Sequence, residues 1–284
     1  MSKRQKIADP HHHIWDLKAL HYPWLVDHPR HPRSYQLSDY WTDARNFDLV
    51  KSVHVEALPD PAEAVAETTW VQAFADNPDN RGFPHGIVAF ADLMADSFAD
   101  TLAAHSRYSN FRGVRQVLSW VAEPYMREHK WRENFRHLGD LGLSFDMQIN
   151  PAQMEDAARL ANDYPNVQIL LNHTGWPDMT NDRGFDEWRL GMNALAACEN
   201  ISVKISGFGM FHPEWTVERI RPFVYETIEL FSPARCMFAS NFPVDRAYRS
   251  FFDIWTAFFR ITDEFSETER SRMFHDNAVA LYRI

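Results

Sequence analysis

Residues 143–172, LSFDMQINPAQMEDAARLANDYPNVQILLN, decide the fold. They open on a β-like run from Leu143 to Ile149. Asn150-Pro151 follows, where an asparagine side chain can cap a helix and proline suits the first helical turn. The helix it starts reaches about Asp163, and a second β-like run covers Val167 to Asn172. Outward from this unit the alternation continues. Runs at Ile7–His13, Leu49–Glu56, Gly86–Phe90 and Phe111–Leu118 precede it, and runs at Ile201–Ile205 and Cys236–Ala239 follow. Helical stretches lie between them at 61–75, 98–106 and 131–141, then at 185–198, 217–231, 247–260 and 266–282.

Eight β-like runs, most followed by a helix, within a chain of 284 residues match an α/β fold of the (β/α)8 barrel type. A doubly wound open sheet is the competing arrangement, but no glycine-rich phosphate loop follows the first run. No repeat, low-complexity tract or linker divides the chain, so residues 1–284 read as one domain. A long aromatic, proline-rich segment at about 16–47 carries Tyr22, Trp24, Tyr40 and Trp41. It exceeds an ordinary connection, and such loops often act as lids.

Composition narrows the function. Hydrophobic residues make up 45%, enough for a sizeable core. The net charge of −10 disfavours binding to nucleic acid, whose phosphates need a basic surface. Two cysteines, Cys198 and Cys236, do not make a disulfide scaffold and fit a reducing compartment. The basic start Met1–Lys6 leads into no apolar signal segment, and no run approaches membrane-spanning length. The expectation is a soluble, cytoplasmic protein with no membrane partner. The phenylalanine-rich helix around Phe251, Phe252, Phe258 and Phe259 reads as core or as a contact in a homo-oligomer.

In a barrel of this type the C-terminal ends of the strands build the active site. Strand one brings His11 and His13 there, on one side because strand side chains alternate, and turns His12 to the other. The second run ends in Glu56, with His54 two residues earlier. The fourth carries Arg112 and Arg115, the fifth Asp146 and Gln148, and the sixth ends at His173. The seventh carries Lys204 and Ser206, and the eighth ends in Ser240-Asn241, with Asp245 four residues on. So many polar groups at strand ends are costly unless paired or used. Lys204 and Asp146 read as a pair inside the barrel, and Trp24 as packing of the long loop or a wall for a sugar-like substrate.

Taken in order, six segments resemble the amidohydrolase superfamily, within it the branch of sugar-lactonases and pyrone-dicarboxylate lactonases. They are Asp9-Pro10-His11-His12-His13-Ile14-Trp15-Asp16, Phe111-Arg112-Gly113-Val114-Arg115, Phe145-Asp146-Met147-Gln148, Asn172-His173-Thr174-Gly175, Lys204-Ile205-Ser206-Gly207 and Phe238-Ala239-Ser240-Asn241-Phe242-Pro243. The ending Asn277–Tyr282 fits as well. The resemblance implies a distorted (β/α)8 barrel and hydrolysis of a small lactone. It matches His11 and His13 to a pair that binds a divalent metal in many members, while some lactonases of the branch work without one. It matches His173 to a histidine that binds metal or polarises the carbonyl, and Arg115 to a substrate-holding arginine.

Asn241 falls where the family usually carries the aspartate that activates water. A neutral amide cannot take a proton from water, and it brings no charge to offset a dication. Three histidines and an amide oxygen still leave zinc possible as a shell with an open position. Without metal, the base has to be His11, His13, His173, Glu56 or Asp245. The expectation is a lactone hydrolase in which Arg115 and Arg112 hold the substrate, with Gln148 and Trp24 beside them, and in which zinc is optional. A decarboxylase of the same branch and a barrel that only binds a ligand are the alternatives.

Overall fold

The computed structural model describes residues 5–121 and 124–284. Eight parallel strands form one sheet in sequence order: β1 (Lys6–His12), β2 (Asp48–Val55), β3 (Gly86–Phe90), β4 (Phe111–Val117), β5 (Ser144–Gln148), β6 (Ile169–Leu171), β7 (Ile201–Ile205) and β8 (Cys236–Phe238). The sheet curls until its edges meet beyond the end of β8. There His12 bridges Phe242, the His13 N–H donates to the Phe242 carbonyl at 2.7 Å, and the Asn241 N–H donates to the His11 carbonyl at 2.9 Å. The result is a nearly closed (β/α)8 barrel.

Sequence and structure agree closely in the unit that decided the fold. Asn150 caps as expected, its side chain accepting the Ala152 N–H at 3.1 Å, and the helix α1 (Met154–Asp163) buries Met154, Ala157, Leu160 and Ala161 on one face. Two helices begin elsewhere than patterning suggests, each for a capping reason. The expected 185–198 helix is α2 (Asp182–Ala196), because the Asn181 side chain accepts from the Gly184 N–H at 2.9 Å. The expected 247–260 helix is α3 (Phe251–Ile261), started by a Ser250–Asp253 capping box.

The last expected helix, 266–282, divides into α4 (Glu267–Ser271), a π-turn at Arg272–Asp276 and α5 (Asn277–Tyr282). At the π-turn, Asn277 Nδ2 donates to the Pro233 and Cys236 carbonyls, both at 2.8 Å. These bonds hold α5 against the barrel bottom. Ala278 and Tyr282 join Ala8, Val53, Val88 and Met237 in a small core that fills the barrel axis. The larger core lies between sheet and helices. The long loop after β1 is tied at its neck by reciprocal Trp15–Tyr35 backbone bonds at 2.8 and 3.0 Å, and Tyr22, Leu25 and Tyr35 are buried beneath it. Among the described residues, no helix is long and apolar enough to cross a membrane.

Candidate active site

Pleating sorts the triple histidine. His12 Nε2 meets Ser52 Oγ at 3.0 Å and its ring stacks on Tyr40 at 4.2 Å, so it serves the scaffold. His11 and His13 turn the other way, with ring centroids 5.0 Å apart, and His173 lies 4.5 Å from His11. The buried Asp9 carboxylate fixes the β1–β8 seam beneath them. It accepts from Ser240 N at 2.9 Å, Ser240 Oγ at 2.5 Å and Tyr40 Oη at 2.7 Å. That clamp holds Asn241 at φ +53°, a left-handed conformation asparagine tolerates better than most residues.

The proton positions on these rings follow from their partners. His13 Nδ1 lies 2.7 Å from the Val55 carbonyl and 3.1 Å from the Glu56 carbonyl. Both can only accept, so Nδ1 carries the hydrogen and Nε2 keeps its lone pair. His11 Nδ1 is 3.3 Å from Lys204 Nζ. Lys204 is fully buried and ion-paired with Asp146, whose carboxylate also accepts from Tyr282 Oη at 2.9 Å and Asn172 Nδ2 at 3.0 Å. An ammonium only donates, so His11 Nδ1 is the acceptor and Nε2 carries the hydrogen. Among the described residues, that Nε2 is buried without a partner.

His173 Nδ1 meets Ser206 Oγ at 3.0 Å, a hydroxyl that can act in either sense. Gly207, at φ +77°, packs against the same ring. A Cβ there would lie 2.8 Å from His173 Nδ1, so the position requires glycine. Burial first, then the nearby Lys204 and Arg115 charges, hold His11 and His173 neutral well below the usual histidine range. Burial and Arg115 do the same for His13.

The carboxylates around the site differ in role. Glu56 Oε1 accepts from Arg115 Nε at 2.5 Å, and its other oxygen accepts from the Leu58 N–H at 2.6 Å. Arg115 also donates to the Glu56 carbonyl at 2.8 Å and reaches Gln148 Oε1 at 3.4 Å. Burial pushes Glu56 up towards about 7, against the pull of Arg115. We treat the pair as ionised, because a guanidinium keeps its proton and a lone buried cation would cost more. Glu56 is thus occupied as a partner. Asp245, at a helical turn after β8, is buried one turn behind Asn241, and burial pushes its pKa up to about 7. Its Oδ2 accepts from Asn241 Nδ2 at 3.4 Å, and that amide nitrogen also meets Met210 Sδ at 3.6 Å. Asn241 Oδ1 is the end left for the cavity, an orientation assigned from these partners.

A cavity of about 370 Å³ opens over these groups at the C-terminal ends of the strands. The sequence-derived residues on its wall are His13, His173, Asn241, Arg115, Gln148 and Trp24. His11 lies beneath the wall, and Glu56 and Asp245 behind it. Arg112 is not brought to the site. It stands at the start of β4, three residues before Arg115, where Nη1 binds the Ser109 and Phe111 carbonyls. Sequence reading also missed several wall residues: His28, Arg30 and His31 from the long loop, and Trp120, Trp176 and Tyr248 from loops beyond the strands. The one signal that could have found the first three is the repeated triplet His28-Pro29-Arg30, His31-Pro32-Arg33.

Residues 8–284 match the model of the family described as amidohydrolase. The chain belongs to that family. Within it, the chain is 44% identical to the uncharacterized protein y4mH of Sinorhizobium fredii, over 98% of both. It is 25% identical to the L-fucono-1,5-lactonase of Burkholderia ambifaria, over 97% of this chain and 95% of that one. A crystal structure of an amidohydrolase from Burkholderia multivorans with bound zinc superposes with a TM-score of 0.87 at 22% identity, covering 98% of this chain and 99% of that one.

The zinc in that relative invites a test of fit. Among the described residues, no three histidine, cysteine, aspartate or glutamate side chains converge as a metal cluster. His11 presents N–H rather than a lone pair at Nε2, and Asn241 supplies no anion. Lys204 and Arg115 bias the rings against further positive charge. This amidohydrolase therefore lacks, among the described residues, the donor set for a firmly held dication.

Proposed function

We propose that this protein hydrolyses a small lactone. The observation that carries the reading is the fixed proton on His13. Its Nδ1–H is spent on two carbonyls, which leaves the Nε2 lone pair on the cavity wall. That is the arrangement a general base needs. Lactonase-named relatives at low identity support the same reaction class.

In this reading His13 Nε2 takes a proton from water as the water oxygen bonds to the lactone carbonyl carbon. The carbonyl oxygen gains charge. His173 supplies a hydrogen bond to that oxygen, and His11, 4.5 Å beneath it, backs its ring. The intermediate collapses with cleavage of the ring C–O bond, and His13 returns its proton to the departing alkoxide, leaving an open hydroxy acid. Asn241 Oδ1 accepts the second hydrogen of the water and orients it. Arg115, held flat by Glu56 and Gln148, donates its remaining N–H groups to the substrate.

A weak base suffices because the ring ester is far more reactive than an amide. pH-stat titration over a panel of five- and six-membered lactones tests the reaction. Acid release at a rate proportional to enzyme is expected, and silence across the panel would overturn it.

A further inference from the structure

Glu67 stands on the helix Ala64–Asp76, outside the sheet, and is buried behind the end of β2. No step above uses it. The β2–β3 ladder ends with the Glu56 N–H, which donates to the Val88 carbonyl at 2.8 Å. The next amide, Ala57 N–H, lies past the ladder, and Glu67 Oε1 accepts it at 2.9 Å.

That amide belongs to the Glu56–Ala57 peptide. Its carbonyl lies 3.1 Å from His13 Nδ1 and accepts from Arg115 Nη2 at 2.8 Å. A trans peptide is planar, with N–H and C=O on opposite sides. Anchoring the N–H at Glu67 therefore aims the carbonyl at His13 and Arg115. The following peptide is also pinned at both ends. Leu58 N–H donates to Glu56 at 2.6 Å, and the Ala57 carbonyl accepts from Trp24 Nε1 at 2.7 Å. Leu58 sits at φ +55°, a conformation leucine rarely adopts, so these bonds and not local preference hold the turn.

Glu67 faces His54 as well. His54 Nδ1 accepts the Ile14 N–H at 3.3 Å, so its hydrogen is on Nε2, which lies 3.8 Å from Glu67 Oε1. Burial, then Arg115, keeps this ring neutral down to about 3. One oxygen thus supports His13 from two sides. It holds the peptide that His13 Nδ1 meets and, through His54, the backbone amide of the residue that follows.

We propose that Glu67 is a positioning residue for His13: by anchoring the Glu56–Ala57 peptide it keeps the imidazole hydrogen on Nδ1 and the Nε2 lone pair on the cavity wall. This rests on the lactonase reading, in which His13 is the base. Unanchored, the peptide can rotate, and its N–H, turned towards Nδ1, favours the opposite tautomer. Charge is not required. Burial pushes Glu67 up to about 8, and either protonation state leaves an oxygen for the Ala57 N–H.

The test separates reach from charge. Glu67→Gln keeps an acceptor at the same reach without charge, and Glu67→Asp keeps the carboxyl group but is one methylene too short. 15N spectra of the histidine rings report the His13 tautomer in each without turnover. Wild type and Glu67→Gln are expected to hold the Nδ1–H form, and Glu67→Asp to populate the Nε2–H form. For lactone opening, kcat should fall about fivefold or more in Glu67→Asp, exceeding any change in KM, and stay within about twofold in Glu67→Gln, as loss or retention of one neutral hydrogen bond implies. Glu67→Met should match Glu67→Asp and replaces it if the shorter acid does not fold.

An unchanged His13 tautomer in the folded short variant overturns the proposal, as does an equal shift in Glu67→Gln. A tautomer shift confined to the variants that lose the acceptor supports it even if no lactone is opened or kcat does not follow. That result would sink only the lactonase reading.

Discussion

Lys204 Nζ lies 3.3 Å from His11 Nδ1, across 193 residues of sequence, and this contact decides what His11 can do. The ammonium makes Nδ1 an acceptor and places the imidazole hydrogen on Nε2. Lys204 is thus a positioning residue that acts through His11. Replacing it removes the donor and lets both neutral tautomers form. In Lys204→Met, 15N spectra of the histidine rings should show His11 shifting towards the Nδ1–H form, with kcat reduced and KM little changed. The single variant also strands the Asp146 carboxylate, at about 3–5 kcal/mol. The double variant Lys204→Met/Asp146→Asn keeps the barrel axis uncharged and preserves the measurement. An unchanged His11 tautomer in a folded variant would remove Lys204 from the mechanism.

His13→Gln keeps a hydrogen-bonding side chain of similar reach but loses the basic nitrogen. A fall in kcat of about 10²–10⁴ with an unchanged melting temperature is expected if His13 is the base. The pH profile offers a second check. Burial and Arg115 hold His13 well below the ordinary histidine range, so its lone pair stays available as pH falls past 6.5. The acid limb of kcat/KM should therefore lie clearly below 6.5. A limb centred near 7 instead, abolished in Asp245→Asn, would transfer the role to Asp245.

Much of this was legible in the sequence, for identifiable reasons. Short apolar runs bounded by capping residues located every strand to within two residues, and strand alternation alone separated His12 from His11 and His13. The same alternation argues against pairing Arg112 with Arg115. Three residues apart on a strand, they face opposite sides and stand about 10 Å apart along it. What patterning could not supply was the direction of contacts closed by the barrel. Nothing local to Lys204 indicates His11, and nothing local to Glu56 indicates that Arg115 consumes it. The orientation of the long loop, and with it the cavity-facing Arg30, depends on the Trp15–Tyr35 neck and on Tyr248 more than 200 residues away.

The absence of an anionic donor at Asn241 and the N–H on His11 bear on metal dependence. Dialysis against a strong chelator, followed by assay in metal-free buffer, should leave kcat/KM within about twofold, since no stabilisation at the carbonyl is assigned to a Lewis acid. Zinc added back should bind weakly in a competition assay with a chromophoric chelator. Loss of activity on chelation, restored by one equivalent of zinc, would contradict the hydrogen-bond assignments on His11.

Asp245 connects the site to stability. Its carboxyl is buried against the Gly207 and Gly209 backbone, and its pKa rises to about 7. Unfolded, the group ionises near 3.8. Between those values the folded chain holds a proton that the unfolded chain has released, so this residue's contribution to stability falls as pH rises and levels off above about 7. Asp245→Asn mimics the protonated form. At about pH 3, below both values, the variant should unfold at the same denaturant concentration as wild type. At pH 8 it should be the more stable of the two, because wild type then carries a buried charge met only by a 3.4 Å bond from Asn241 and by the Gly207 and Gly209 backbone among the described residues. Asn241→Asp should do the reverse. A second carboxyl at that distance forces the two to share a proton, raising the apparent pKa of the pair and lowering stability most at alkaline pH. Identical pH–stability curves for wild type and Asp245→Asn would show that water reaches the carboxylate, and that Asn241 is not oriented by a desolvated charge.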